Sequence, residues 1–502
     1  MADVPPSLVR RLADLDRSDA PPLYQQLYRG LRQGIVDGRI APDTRLPSTR
    51  TLAEHLGVSR NTVSKAFDLL RTEGYLSRHV GSGTYVSSDL PDKYTRARVP
   101  EGDLSGLRVP NVGGRSLPLS DRSRQLANAP LSGLDDLTQK RPFRPGVPAL
   151  DAFPLETWST LVSRRWKSLP EAELVHTKPA GYAPLREAVA EYVRDARGVH
   201  CDTDQVLIVN GVQQAFTLVA RVLMNPDDVV CVEDPGFPQM AAAFRAVGAH
   251  VRSVPVDEQG LTLPQTEGDG PPRMVGVTPS HQFPLGITMT LSRRIELLEW
   301  ANRTDAWILE DDYNSEFRYS GKPFPALQGL DNAQRVLYAG TFSKLMFPSL
   351  RLGYLVVPPD LVEPLTKMRY IADRGSSRVN QMALTDFITE GHFRRHIRRM
   401  RTLYATRQGL LLDAMNRTLD APIDVVPADA GLHLIGWVPE GIDDRAVSDH
   451  LAHHDLVAPP LSFYSTRPLE RGGLLLGYGG FTEEEIRAGV RKMNDALTSF
   501  SW

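Results

Sequence analysis

Four short stretches of this chain carry residue types that do chemistry when brought together. AGTFSKLMFPSLRLG (339–353) holds Lys344 beside two hydroxyls, Thr341 and Ser343, with Arg351 seven residues on. A lysine amine condenses with an aldehyde only when an appreciable share of it is neutral, which burial or neighbouring positive charge provides. The hydroxyls and the guanidinium suit a phosphate, the latter through a bidentate grip. ILEDDYNSEF places Asp311 and Tyr313 at the end of an apolar run, a carboxylate for a protonated ring nitrogen and a phenol for a ring oxygen. VEDPGFPQM puts Phe237 in a turn, where an aromatic can stack on a flat ring. NGVQQAF sets Gly211 between a strand pattern and a helix pattern, so that the amides of Val212 and Gln213 face an anion. Singly, each has an ordinary structural reading, such as a solvated lysine or a packed aromatic. As a set they meet the demands of pyridoxal 5'-phosphate: an amine for its aldehyde, an anion site, a carboxylate beside the pyridine nitrogen and a flat partner for the ring.

A different chemistry is written in RLPSTRTLAEHLGVSRNTVSKAFDLLRTEGYLSRHVGSGTYV. TRTLAEHL has the length of a short helix, Gly57 permits a tight turn, and Ser59 is a suitable cap for the next helix. There Val63, Ala66, Phe67 and Leu70 recur at one helical face. The opposite side therefore carries Arg60, Asn61, Ser64 and Lys65, donors of the kinds that reach phosphates and base edges from a recognition helix. EGYLSRHVGSGTYV then predicts a hairpin with its glycines, Gly81 among them, at the tip and Arg78 and His79 on the wing.

These groups need elements to position them. At 502 residues, 41% apolar and 24% charged, the chain has the composition of a soluble globular protein with more than one folding unit. Two cysteines and a polar start without an apolar signal core point to the cytoplasm and to no membrane partner. A net charge of -2 leaves DNA contact to local arrangement. The texture divides the chain into a compact 1–87, a Pro-, Gly- and Ser-rich linker over 88–142, and 143–502. In the last part strand-like runs (QVLIV, DVVCV, RMVGV, AWILE, RVLYAG, LGYLVV) alternate with helical patterns. That alternation predicts an α/β unit with a mostly parallel sheet, followed by a smaller α+β lobe from about 421. No metal site is expected.

The 22–86 stretch resembles the GntR family of winged-helix regulators. The resemblance places Arg45, Arg50, Arg60, Asn61, Thr62 and Lys65 at that family's DNA-contact positions. The ordered set Gly211, Phe237, Asp311, Tyr313, Ser343, Lys344 and Arg351 resembles the fold-type-I aminotransferases, and GYAPLREAVAEYV resembles the segment that carries a pocket tyrosine there. The fusion is similar to the MocR/GabR-type subfamily of GntR regulators. This resemblance implies a regulator that senses an amino compound, or pyridoxal phosphate itself, through an internal aldimine on Lys344. It also implies operator DNA as partner and a homodimer, exchanged head to tail. Two departures bear on catalysis. Leu475, in GGLLLGYGGF, stands where an aminotransferase carries its carboxylate-binding arginine, and Phe283 stands in place of a ring-facing asparagine, leaving His281 or Gln282 to substitute. They argue for sensing over turnover; the alternative is an aminotransferase with a regulatory DNA-binding appendage. Arg467 or Arg471 before the last strand, and Gln239 after Phe237, are candidates for the ligand side. An arginine-dense helix, EGHFRRHIRRMRTLYATRQ, has the charge to touch DNA phosphates.

Overall fold

A computed structural model of the protein describes residues 4–13, 15–16, 21–79, 83–88, 90, 120, 123–124, 140–174, 178–265, 270–319 and 324–502. Chain contacts divide it into two units, Met1–Ser116 and Leu117–Trp502. Most of the 88–142 linker and the wing residue Gly81 lie outside the described residues.

In the first unit, α1 (Pro6–Leu12), α2 (Leu23–Val36), α3 (Thr49–Leu56) and α4 (Arg60–Thr72) pack with a small antiparallel sheet. Its strands are β1 (Arg45–Leu46), β2 (Leu76–His79) and β3 (Gly83–Val86), in the order β1-β3-β2. Leu27, Leu31, Leu52, Val63, Ala66 and Leu70 are fully buried between the helices, each leucine or valine side chain worth about 1.5–3 kcal/mol of burial at most. The turn between α3 and α4 forms as its residues dictate. Gly57 takes a left-handed conformation (φ 66°) and ends α3, and the Ser59 hydroxyl accepts from the Thr62 amide at 3.0 Å to begin α4.

The second unit is built on an eight-stranded sheet of order β4-β11-β10-β9-β8-β5-β6-β7. The strands are β4 (Val206–Val209), β5 (Val229–Asp234), β6 (His250–Asp257), β7 (Gly260–Leu261), β8 (Met274–Val277), β9 (Trp307–Asp312), β10 (Val336–Thr341) and β11 (Gly353–Val356). β10, β9, β8, β5 and β6 run parallel; β11 is antiparallel to both β10 and β4. Strands β4, β5, β8, β10 and β11 are buried throughout, which is why each reads as a continuous apolar run. β6 escaped the sequence pattern because HVRSVPVD is largely partly exposed and interrupted by proline. The smaller lobe carries β12 (Asp424–Val425), β13 (His433–Trp437) and β14 (Gly473–Gly477), antiparallel, with helices Asp444–His453 and Glu483–Leu497. One core, from Leu185 and Ile208 to Leu474 and Val490, runs through sheet and lobe alike.

Candidate cofactor pocket and DNA interface

Strand register gathers the chemistry at one edge. Val209 is opposite Gly353, and Gly353 is opposite Thr341, so the loop after β4, the Arg351 turn and the end of β10 stand side by side. Asp311 and Asp312 close β9, and Glu233 and Asp234 close β5. All lie at the carboxyl ends of the parallel strands, where open α/β sheets hold ligands. Gly353 permits this approach, since a Cβ there would stand 2.8 Å from the Gly340 carbonyl and 3.1 Å from Gly211 Cα.

Lys344 leaves the end of β10 and donates to the Gly146 carbonyl at 2.7 Å. Burial depresses its amine below the ordinary lysine range, and the nearby Asp311 charge partly opposes that. Gly146 has φ 74°, and a Cβ on it would come within 2.7 Å of Lys344 Nζ. Asp311 is buried, its pKa well above the usual carboxylate range because of that burial and then of Asp312 and Glu233. Its Oδ1 has no hydrogen-bond partner among the described residues, and neither has the buried Tyr313 hydroxyl. His281, 2% exposed, leaves both ring nitrogens unpartnered among the described residues; burial pulls its pKa down to about 3, so the imidazole is neutral at physiological pH. Its ring lies 6.1 Å from Tyr313 and 5.9 Å from His433.

Across from the lysine strand, Gly211 (φ 84°, ψ 165°) precedes the helix Val212–Leu223. The first two amides of that helix, those of Val212 and Gln213, have no intrahelical acceptor. A Cβ on Gly211 would lie 3.6 Å from the Arg351 guanidinium, which donates to the Asn210 carbonyl at 2.9 Å. Thr341 Oγ1 accepts from the Ser343 amide at 3.1 Å, which folds that turn. Phe237 opens the helix Pro238–Arg245 and packs edge-on to Phe216 and Phe283. Unpartnered polar atoms of Asp311, Tyr313 and His281 beside a depressed lysine and a helix-end anion cradle fit pyridoxal phosphate.

The side that the sequence assigns to the ligand carries an apolar cluster. Leu475 is fully buried in a cluster with Leu461, Ile435, Phe283 and Tyr464. Phe283 meets Tyr464 at 5.1 Å and Tyr313 at 6.2 Å. Arg471 is committed to Asp424 and to the Val438 carbonyl, so it does not serve this side. Arg467 pairs with Asp234 at 3.6 Å and is half exposed. Gln239 Oε1 is buried without a partner among the described residues. Sequence reasoning missed Gly146, Glu233 and His433. The Gly146 carbonyl comes from a segment with no signal of its own. Glu233, pushed up to about 7 by burial, accepts from Thr278 and Gln282 and so anchors the loop bearing His281 and Phe283.

In the first unit Arg60, Asn61 and Lys65 are exposed on the outer face of α4. Arg60 Nε reaches Thr49 Oγ1 at 3.4 Å, and Lys65 lies over the Tyr24 ring at 5.7 Å. Arg50 is exposed and pairs along its helix with Glu54. Arg45 reaches along the wing toward its tip, where a Cβ on Gly83 would touch its guanidinium. Ser59 and Thr62 share a hydroxyl contact of 2.8 Å at the start of α4. Arg78 stands in β2 by its backbone.

Comparison with known proteins decides the lineage. The family described as bacterial regulatory proteins, gntR family, matches residues 23–86, and aminotransferase class I and II matches 170–491. A Rhizobium meliloti protein described as a probable rhizopine catabolism regulatory protein, MocR, is 38% identical over 96% of this chain and 95% of its own. The chain belongs to the MocR-type GntR regulators. It is thus a helix-turn-helix transcriptional regulator with an aminotransferase-like domain. The pyridoxine biosynthesis regulator PdxR of Corynebacterium glutamicum is 30% identical over 94% of this chain and 95% of its own. Among solved structures, a multiple substrate aminotransferase from Thermococcus profundus covers 76% of this MocR-type chain and 96% of its own, at 26% identity and a TM-score of 0.65. LysN of Thermus thermophilus, complexed with N-(5'-phosphopyridoxyl)-L-leucine, aligns at 26% identity and the same TM-score, over 76% of this chain and 95% of its own.

Proposed function

We propose that this regulator holds pyridoxal phosphate at Lys344, senses a small amino compound or the cofactor itself there, and changes its grip on operator DNA in response. The observation that carries the reading is Lys344, depressed by burial, among the unpartnered atoms Asp311 Oδ1 and Tyr313 Oη. When bound, the cofactor supplies an aldehyde that exchanges one amine for another and a ring that withdraws electrons. Asp311 would hold a proton on the ring nitrogen, Tyr313 and His281 would hydrogen-bond the ring's polar edge, and Phe237 would cover a face. Val212, Gln213, Thr341, Ser343 and Arg351 would take the phosphate. With Nζ not bonded to the cofactor, Lys344 would keep the Gly146 carbonyl as its acceptor, the contact it makes at 2.7 Å.

Leu475 favours sensing over general transamination, because a neutral side chain in an apolar cluster cannot pair with a substrate carboxylate. Retention of Lys344 and Asp311 keeps a weak aminotransferase as the second reading. We take the boundaries as 1–87, 88–142 and 143–502, and the active form as a cytoplasmic homodimer whose heads and bodies exchange. Paired operator half-sites and a two-fold protein go together. The test is direct. Purified full-length protein should show the visible absorbance of lysine-bound cofactor, and Lys344→Ala should lose it while the first unit keeps its helical circular dichroism. Persistence of the band in that variant refutes the assignment.

A further inference from the structure

Outside the cofactor pocket, a cleft of about 630 Å³ lies between the helices Ala183–Arg197 and His392–Thr418. That is within the usual range of small-molecule sites, about 300–1,000 Å³. Arg394, Arg398 and Arg401 line one wall at helical spacing i, i+4 and i+7, so three guanidiniums form a single stripe. They are short of carboxylates. Arg394 comes no nearer than 3.9 Å to Asp195, Arg401 donates to the Glu316 main-chain carbonyl, and the Arg398 guanidinium makes no ion pair among the described residues. On the facing wall, Glu191 and Asp195 sit one turn apart, and the Glu191 carboxylate is exposed and unpaired among the described residues.

A cationic stripe facing an acidic pair selects a molecule with both signs. Three guanidiniums exceed the needs of one carboxylate and match the oxygens of a phosphate. We propose that this cleft is a second binding site, for a small zwitterion that bears a phosphate toward the arginines and an ammonium toward Glu191 and Asp195. Its floor connects to the cofactor site. Tyr192 bonds Glu316 there, and Arg197, which also lines the cleft, pairs with Asp312 at 2.8 Å. Asp312 is the strand neighbour of Asp311, so charge entering the cleft acts on the carboxylate meant for the ring nitrogen.

The test is calorimetric titration of the full-length protein with O-phosphoethanolamine, with inorganic phosphate as a control. The wild type should bind O-phosphoethanolamine at one site per chain, and Arg398→Gln with Arg401→Gln should weaken it at least tenfold. Glu191→Gln should weaken O-phosphoethanolamine and spare inorganic phosphate. Lys344→Ala, which removes the amine of the cofactor pocket, should still bind O-phosphoethanolamine at one site per chain; loss of that site in the variant would put the ligand in the cofactor pocket and overturn the proposal. So would absent binding, or binding indifferent to the arginine changes. If the double variant instead lowers the salt slope of DNA affinity by about two, with no small molecule bound by the wild type, the stripe is a DNA phosphate contact.

Discussion

At the scale of single residues, the pocket holds charges that the folded chain would rather neutralise. Glu233 illustrates the consequence for pH. Its pKa rises from 4.5 to about 7 on folding, so between those values the folded chain keeps a proton that the unfolded chain has released. Stability contributed by this group is therefore full below pH 4.5 and is lost as pH climbs through about 7. Glu233→Gln should flatten that part of the stability profile of the cofactor-free protein, by about 3 kcal/mol at most, as read from denaturant unfolding of the larger unit. A profile unchanged by the substitution would place the proton elsewhere. Asp311 has its own test. A charge-assisted hydrogen bond to a buried partner is worth about 1.5–3 kcal/mol, so Asp311→Ala should weaken pyridoxal phosphate binding roughly tenfold to a hundredfold in equilibrium dialysis. The types of Asp311 and Tyr313, unlike Glu233, were legible in the sequence: a carboxylate two positions before a tyrosine at a strand end admits few roles. Their unpartnered atoms were not, because orphaning depends on what every other element does. The Gly146 contact was hidden for the same reason, since it joins positions 198 apart.

At the scale of elements, one glycine and one cap set the working geometry. Gly211 takes φ 84° and ψ 165°, a region that side chains with a Cβ enter only under strain. A Cβ would find only ordinary contact at 3.6 Å. Gly211→Ala should therefore act through the backbone, at about 1–3 kcal/mol, and loosen phosphate retention more than it disturbs folding; cofactor off-rate against the unfolding midpoint separates the two. In the first unit, Ser59→Ala removes the hydroxyl that accepts the Thr62 amide and should cost about 1 kcal/mol of that unit's stability. It should also slacken the start of α4, where Arg60 and Asn61 are presented. Six of the eight strands in the large sheet announce themselves as apolar runs because they are buried on both faces. β6 and β7 do not, one being partly exposed and proline-interrupted and the other two residues long. The antiparallel sense of β11 was equally silent, for pairing direction is decided by connection and not by composition.

At the scale of the whole molecule, a reader of DNA and an aminotransferase-like body occur in one chain, and similar regulators match along nearly their full length. A body that only catalysed would have little use for a fused winged helix, and the apolar cluster around Leu475 offers a substrate carboxylate no charge. The account therefore joins the state of Lys344 to the affinity of the first unit for its operator. The most direct measurement is operator affinity of the full-length, cofactor-loaded protein at fixed salt, titrated with the amine that displaces Lys344, beside the Lys344→Ala variant. The account predicts a shift of operator affinity in the wild type and none in the variant. Sustained amino transfer with operator affinity unmoved, or the same shift in Lys344→Ala, would contradict it.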